Sequence, residues 1–189
     1  MRLFIGIELD DAVRSRAAQI VASAGALLDP ALAVRWVPRE NLHITVWFLG
    51  EVAEPRMASV LRALDPPFDI PAFDLHVAGF GAFPGAGLPR VLWLGVQEGQ
   101  LPLGSLYADI AGRLHPLGIA PEARPFSAHL TVGRVKGARR PVRPRDVRAL
   151  WRGLPADAGV CRIGAVTLFH SRLSPKGSAY DPLLRVPLK

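Results

Sequence analysis

The feature that most constrains the fold of this 189-residue chain is a repeated switch between apolar periods of two and of 3.6. Leu3, Ile5, Ile7 and Leu9 alternate, which predicts a strand over 2–9. Asp10 and Asp11 then offer an N-cap. Val13, Ala17, Ile20, Val21, Ala24, Leu27 and Leu28 follow at helical spacing up to Asp29-Pro30. The same reading predicts strands at 33–37, 42–49, 72–80, 90–96, 126–135, 160–170 and 179–187. It predicts helices at 54–64, 101–117 and 144–152, with a loop at 81–89 and a turn at Ser174-Pro175-Lys176-Gly177. Strands and helices mix without strict alternation, so the expected fold is α+β with mainly antiparallel sheets. Half the residues are apolar, which excludes disorder, and no stretch reads as a linker. Residues 1–189 are expected to form a single domain.

Composition narrows the setting. The one cysteine, Cys161, excludes an internal disulfide and a cage of several cysteines, and fits a reducing, cytoplasmic location. No apolar run is long enough to cross a membrane, and the first residues resemble neither a signal peptide nor a lipidation site. The formal net charge is +7. The stretch Arg134–Arg152 holds eight basic residues and one acid, Asp146, so it carries the whole excess. It reads either as a footprint for a polyanion or as a solvated face in an arginine-rich chain.

Two short segments carry the chemistry. His43-Ile44-Thr45-Val46 and His129-Leu130-Thr131-Val132 both lie in predicted strands. The chain has five histidines and three threonines, for which chance placement gives about 0.1 His-x-Thr pairs, against the two observed. In a strand, residues i and i+2 share a face, so each His projects with its Thr while the aliphatic neighbours pack behind. If the two strands face one cleft, two imidazoles and two hydroxyls converge there. One neutral imidazole takes a proton from a nucleophile and a second, protonated, gives one to a leaving oxygen. An ordinary imidazole pKa of about 6.5 suits both tasks. The hydroxyls donate to phosphate oxygens. No cofactor or metal is called for.

These motifs resemble the two-histidine phosphoesterase superfamily, and within it the RNA 2′,3′-cyclic phosphodiesterases, also known as 2′-5′ RNA ligases. The resemblance extends to Arg2–Leu9, to Asn41–Thr45 with Phe48–Glu51, and to Pro89–Val96. It continues in Phe126–Thr131 with Arg134 and Lys136, in Ser171–Leu173 and in Gly177–Tyr180. The chain departs from the family at Ala128, where Pro is common, and at Val132-Gly133, where Leu-Ala is common. The resemblance implies two pseudo-symmetric lobes with outer helices flanking a central cleft, each lobe supplying one motif. It implies hydrolysis of an RNA 3′ end bearing a 2′,3′-cyclic phosphate to a 2′-phosphate, with 2′-5′ joining to a 5′-hydroxyl as the companion reaction. His43 is then the proton donor and His129 the proton acceptor, with Thr45 and Thr131 holding the phosphate.

Other residues are weighed against these. Arg134 lies three places after Thr131, so strict alternation turns it away unless the strand bulges near Gly133; the resemblance makes it a phosphate or base contact. Trp47 shares the predicted face of His43 and Thr45, either as a cleft wall or as core, and Phe48 is expected in the core. Arg90 is either an RNA contact or a strand-end charge. His76, His115 and His170 lack a Thr partner and read as structural or surface residues. RNA is the expected partner, through the cleft and the basic stretch 134–152, with a monomer as the default. A different small cyclic phosphate, or an RNA-binding module without turnover, are the competing readings.

Overall fold

The computed structural model describes residues 1–121, 125–174 and 177–189. Nine strands form one sheet: β1 (Arg2–Glu8), β2 (Leu32–Trp36), β3 (His43–Glu51), β4 (Phe73–Phe83), β5 (Val91–Glu98), β6 (His129–Ala138), β7 (Asp157–Ile163), β8 (Ala165–Ser174) and β9 (Gly177–Pro187). Four helices accompany it: α1 (Asp11–Leu28), α2 (Glu54–Leu64), α3 (Gln100–Leu114) and α4 (Pro144–Ala149). The strand order is β7-β4-β5-β6-β3-β1-β8-β9, with β2 added to β6, and every named pairing is antiparallel. The fold is therefore α+β, as the mixed periodicity implies.

The sheet has two related halves. In one, β1-α1 leads to β3; in the other, β5-α3 leads to β6. Each motif strand thus pairs with the strand that precedes its helix. The halves meet where Ile44 of β3 pairs with Leu130 of β6. The helices cross over: α1 packs on β7 and β2, whereas α3 packs on β3 and α2. This exchange ties the halves through one continuous apolar core.

Local chemistry explains the elements. The Asp10 carboxylate accepts from the Val13 N–H at 2.8 Å and caps α1. Val13, Ala17, Ile20, Ala24 and Leu28 bury one face of that helix. Leu103, Leu106, Ile110 and Leu114 do the same for α3, which continues as a single tight turn to Gly118 at φ 66°.

Two expectations need revision, and a third falls outside the described residues. The apolar run 160–170 is not one strand. It breaks at Gly164 into β7, which pairs with β4, and β8, which pairs with β1 in the other half. An apolar run cannot reveal that its two ends belong to different edges. The loop expected at 81–89 begins later, because Gly81, Ala82 and Phe83 still pair with Trp93, Leu92 and Val91. The expected turn at 174–177 includes Pro175 and Lys176, which lie outside the described residues.

Gly81 is held by packing. A methyl group there would come within 2.2 Å of the Trp93 ring, which itself packs on Phe83 with 5.2 Å between centroids. Gly81→Ala is expected to destabilise the fold by about 1–3 kcal/mol through overpacking, read as a lower urea midpoint at unchanged slope. Gly104 on α3 has nothing within 4 Å of its would-be methyl group. Gly104→Ala is expected to stabilise by about 0.5–1 kcal/mol in the same measurement.

Candidate active site

The pairing of Ile44 with Leu130 sets the site. In antiparallel register it carries His43 toward Thr131 and Thr45 toward His129, so both motifs present their polar side chains on one face. Ile44 and Leu130 are fully buried behind them. The two histidines sit diagonally across the seam and are close enough that a charge on His129 disfavours one on His43.

Each imidazole is held in the same manner. His43 Nδ1 lies 2.8 Å from the Asn41 carbonyl, and His129 Nδ1 lies 2.7 Å from the Ser127 carbonyl. A carbonyl only accepts, so Nδ1 carries a proton in both rings and each Nε2 is left for chemistry. His43 Nε2 lies 3.0 Å from Thr45 Oγ1. The His43 ring is braced by Phe4 at 4.7 Å and by the edge of Tyr180 at 5.0 Å. The His129 ring meets Phe83 edge-on at 5.1 Å. The polar side chains that converge are thus fixed by backbone carbonyls two residues upstream, a spacing visible in the sequence but not singled out there.

Both strands bulge directly after their motif. The register of β1 on β3 slips between Ile5, opposite Trp47, and Gly6, opposite Thr45. The register of β5 on β6 slips between Leu92, opposite Gly133, and Trp93, opposite Thr131. Val46 and Val132 are the extra residues. Each bulge reverses the alternation beyond it. Trp47, at 3% exposure, packs on Tyr107 as both core and cleft wall, and Phe48 turns to the cleft beside it. On β6 the equivalent reversal buries Gly133 and turns Arg134 to the cleft beside His129 and Thr131. Strict alternation puts Phe48 in the core; the bulge at Val46 turns it to the cleft, which Trp47 also borders. The glycine at 133, a departure from the family pattern, has a steric cause. An alanine methyl would approach the Trp36 ring to 2.9 Å.

The cleft beside His129 encloses about 420 Å³. Thr45, Thr131 and Arg134 supply polar groups, and Phe48, Tyr107, Phe126 and Phe83 supply aromatic walls. Tyr107 and Phe126 stack at 4.7 Å. Phe48 and Phe126 belong to the segments around the two motifs, whereas Tyr107 and Phe83 come from elements that no motif announces. Among the described lining residues none is a carboxylate. The ordinary imidazole pKa is lowered at both motif histidines, first by burial and then by the nearby Arg134 guanidinium, against the raising effect of the carbonyl bonds.

The remaining candidates fall elsewhere. Arg90 is exposed and outside the cleft lining; its backbone links Phe83 and Val135. His76 pairs with Asp157 at 2.9 Å. Cys161 is buried, and burial raises its thiol pKa. The basic stretch divides. Arg134 faces the cleft, but Arg139 donates to the Leu32 carbonyl, Arg148 clamps the Pro84 and Gly87 carbonyls, and Arg143 pairs with Asp146.

The profile described as LigT like phosphoesterase matches residues 7–93. An RNA 2′,3′-cyclic phosphodiesterase of Archaeoglobus fulgidus is 37% identical over 97% of this chain and 98% of its own length. The chain belongs to the LigT-like phosphoesterases. An RNA 2′,3′-cyclic phosphodiesterase of Thermotoga maritima is 36% identical over 97% of this phosphoesterase and 93% of that relative. The crystal structure of E. coli LigT complexed with 3′-AMP matches with a TM-score of 0.74 and 25% identity, over 99% of this chain and 97% of that one. Among the described residues no helix of this phosphoesterase is long and apolar enough to cross a membrane.

Proposed function

We propose that this phosphoesterase opens the 2′,3′-cyclic phosphate at the 3′ end of RNA to a 2′-phosphate, without a metal ion. The observation that carries the reading is the pair of imidazoles on adjacent antiparallel strands, each with Nδ1 tied to a carbonyl, which leaves Nε2 (beside Thr45 Oγ1 in His43) for proton transfer. The names and coverage of the relatives support the substrate class.

The reaction divides between the two motifs as the resemblance implies. Neutral His129 takes a proton from water through Nε2 while the water oxygen bonds to phosphorus. The bond from phosphorus to O3′ breaks, and protonated His43 gives its Nε2 proton to that oxygen. After the step His129 is charged and His43 neutral, and proton exchange with solvent resets the pair. Thr45, Thr131 and Arg134 donate to the non-bridging oxygens, whose charge grows in the transition state. Phe48 and the Tyr107–Phe126 stack offer faces for the terminal base. If a 5′-hydroxyl replaces the water, the product is a 2′-5′ linkage.

The test is incubation of the purified protein, with EDTA present, with an RNA oligomer ending in a 2′,3′-cyclic phosphate. A 2′-phosphate end is the expected product. Intact cyclic phosphate despite RNA binding would overturn the reading, and a 3′-phosphate end would overturn its assignment of the leaving oxygen.

A further inference from the structure

A second groove of about 530 Å³ opens beside the cleft, between β2, β6 and β9. Arg134 lines both spaces, and Tyr180, whose edge braces His43, lines the groove. The groove differs in character from the cleft. Arg35 and Lys136 join Arg134 there, with Asn41 and Tyr180 as neutral polar groups and Glu40 as the one carboxylate among the described lining residues. None of the three cations has a carboxylate within salt-bridge distance among the described residues.

The register sharpens the point. Arg35 of β2 and Arg134 of β6 are directly opposite partners in the sheet. Lys136 follows Arg134 by two residues on β6. Like charges facing one another across a strand pair oppose folding. Several other arginines near the surface are tied to carboxylates or carbonyls, as Arg113 is to Asp109, Arg148 to the Pro84 carbonyl and Arg172 to Asp181. Cations gathered beside a phosphate-reacting site without an ion-pair partner are what an anionic chain requires.

We propose that this groove is a subsite for the RNA phosphodiester one nucleotide upstream of the reacting phosphate, with Arg35 as its dedicated cation. The proposal rests on the RNA cyclic-phosphate reading above. A cyclic phosphate ends its strand, so every other phosphate of the substrate lies on the 5′ side. The aromatic cleft suits the terminal nucleoside, which leaves the cationic groove, continuous with it through Arg134, for the next phosphate. Arg35 is exposed and touches neither motif, so its role is confined to substrates long enough to reach it.

The experiment compares adenosine 2′,3′-cyclic phosphate with the dinucleotide ApA ending in the same cyclic phosphate. Both are assayed with the wild-type chain, Arg35→Gln and Arg35→Lys over a range of salt. The wild type is expected to favour the dinucleotide through KM. Arg35→Gln is expected to lower that advantage about tenfold and to reduce the salt slope by about 0.7, the loss of one contact to a single strand. Its rate on the mononucleotide is expected to stay unchanged, and Arg35→Lys is expected to restore part of the advantage. Equal use of both substrates by the wild type, or an advantage and slope untouched in Arg35→Gln, would overturn the subsite alone. Turnover of neither substrate by the wild type would overturn the cyclic-phosphate reading, and the subsite with it.

Discussion

Replacing His43 or His129 with alanine is expected to lower kcat by about 10²–10⁴ in each case, because each substitution removes one proton transfer from the transition state. The double variant is expected to fall little below the worse single variant, since the two groups act on one reaction coordinate. The apolar core packs behind Ile44 and Leu130, but the His43 ring also rests on the buried Phe4 ring. His129→Ala is therefore expected to unfold at a midpoint close to that of the parent chain and His43→Ala at a somewhat lower one, with both variants folded under assay conditions, which separates lost chemistry from lost fold. Steady-state rates on a cyclic-phosphate RNA, with denaturation curves alongside, make the measurement. Near-parental turnover by both variants would refute the role of the pair.

The second large effect concerns Arg134. This guanidinium shares the cleft with His129 and lowers the pKa of both motif histidines, in addition to the effect of burial. Two consequences follow with opposite dependence on charge. Arg134→Met removes a charge-assisted donor to phosphate, with an expected loss of about 10–100-fold in kcat/KM. It also removes the positive charge that disfavours imidazolium. The active form needs one protonated histidine, so the alkaline limb of kcat/KM reports loss of the proton from the acid. In the parent chain that limb is expected below the ordinary imidazole pKa of about 6.5, because both groups are lowered. In Arg134→Met both groups rise and the limb moves to higher pH. Arg134→Lys keeps the charge but loses the two-pronged donor, so its limb stays in place while its KM rises. Rate profiles across the acid and neutral range test this. A limb unmoved in the Met variant would separate Arg134 from the electrostatics of the pair.

Much of this site was legible in the sequence because strand period and motif spacing act together. His43 with Thr45 and His129 with Thr131 project in pairs wherever residues i and i+2 share a face, and the apolar residues between them pin the strands. The helices α1 and α2 were legible for a related reason, as an Asp10 cap or a Pro66-Pro67 stop brackets an apolar stripe. What alternation misses is a change of phase. Gly133 signalled a bulge on β6, because glycine is permissive there, and Arg134 could be placed on that condition. The equivalent bulge on β3 falls at Val46, a residue that gives no such signal. The reading of Phe48 as core is therefore overturned, whereas Trp47 is both buried and part of the cleft wall. The aromatic walls from Tyr107 and Phe83 come from distant elements brought together by tertiary packing. The basic stretch is divided in a way that its composition does not show. Formal charge cannot show that Arg139 and Arg148 spend their donors on backbone carbonyls.

The division of labour between the histidines is open to one direct measurement, the rescue of variants by a substrate whose leaving atom needs no acid. A 2′,3′-cyclic phosphorothiolate, with sulfur at the 3′ position, departs as a thiolate, whose conjugate acid has a pKa of about 8.5. His43→Ala is expected to recover most of its lost rate on this substrate, while His129→Ala, still lacking the base for water, is expected to recover none. Recovery by His129→Ala with none by His43→Ala would exchange the two roles. Equal recovery by both, or by neither, would contradict an acid and a base acting from opposite motifs.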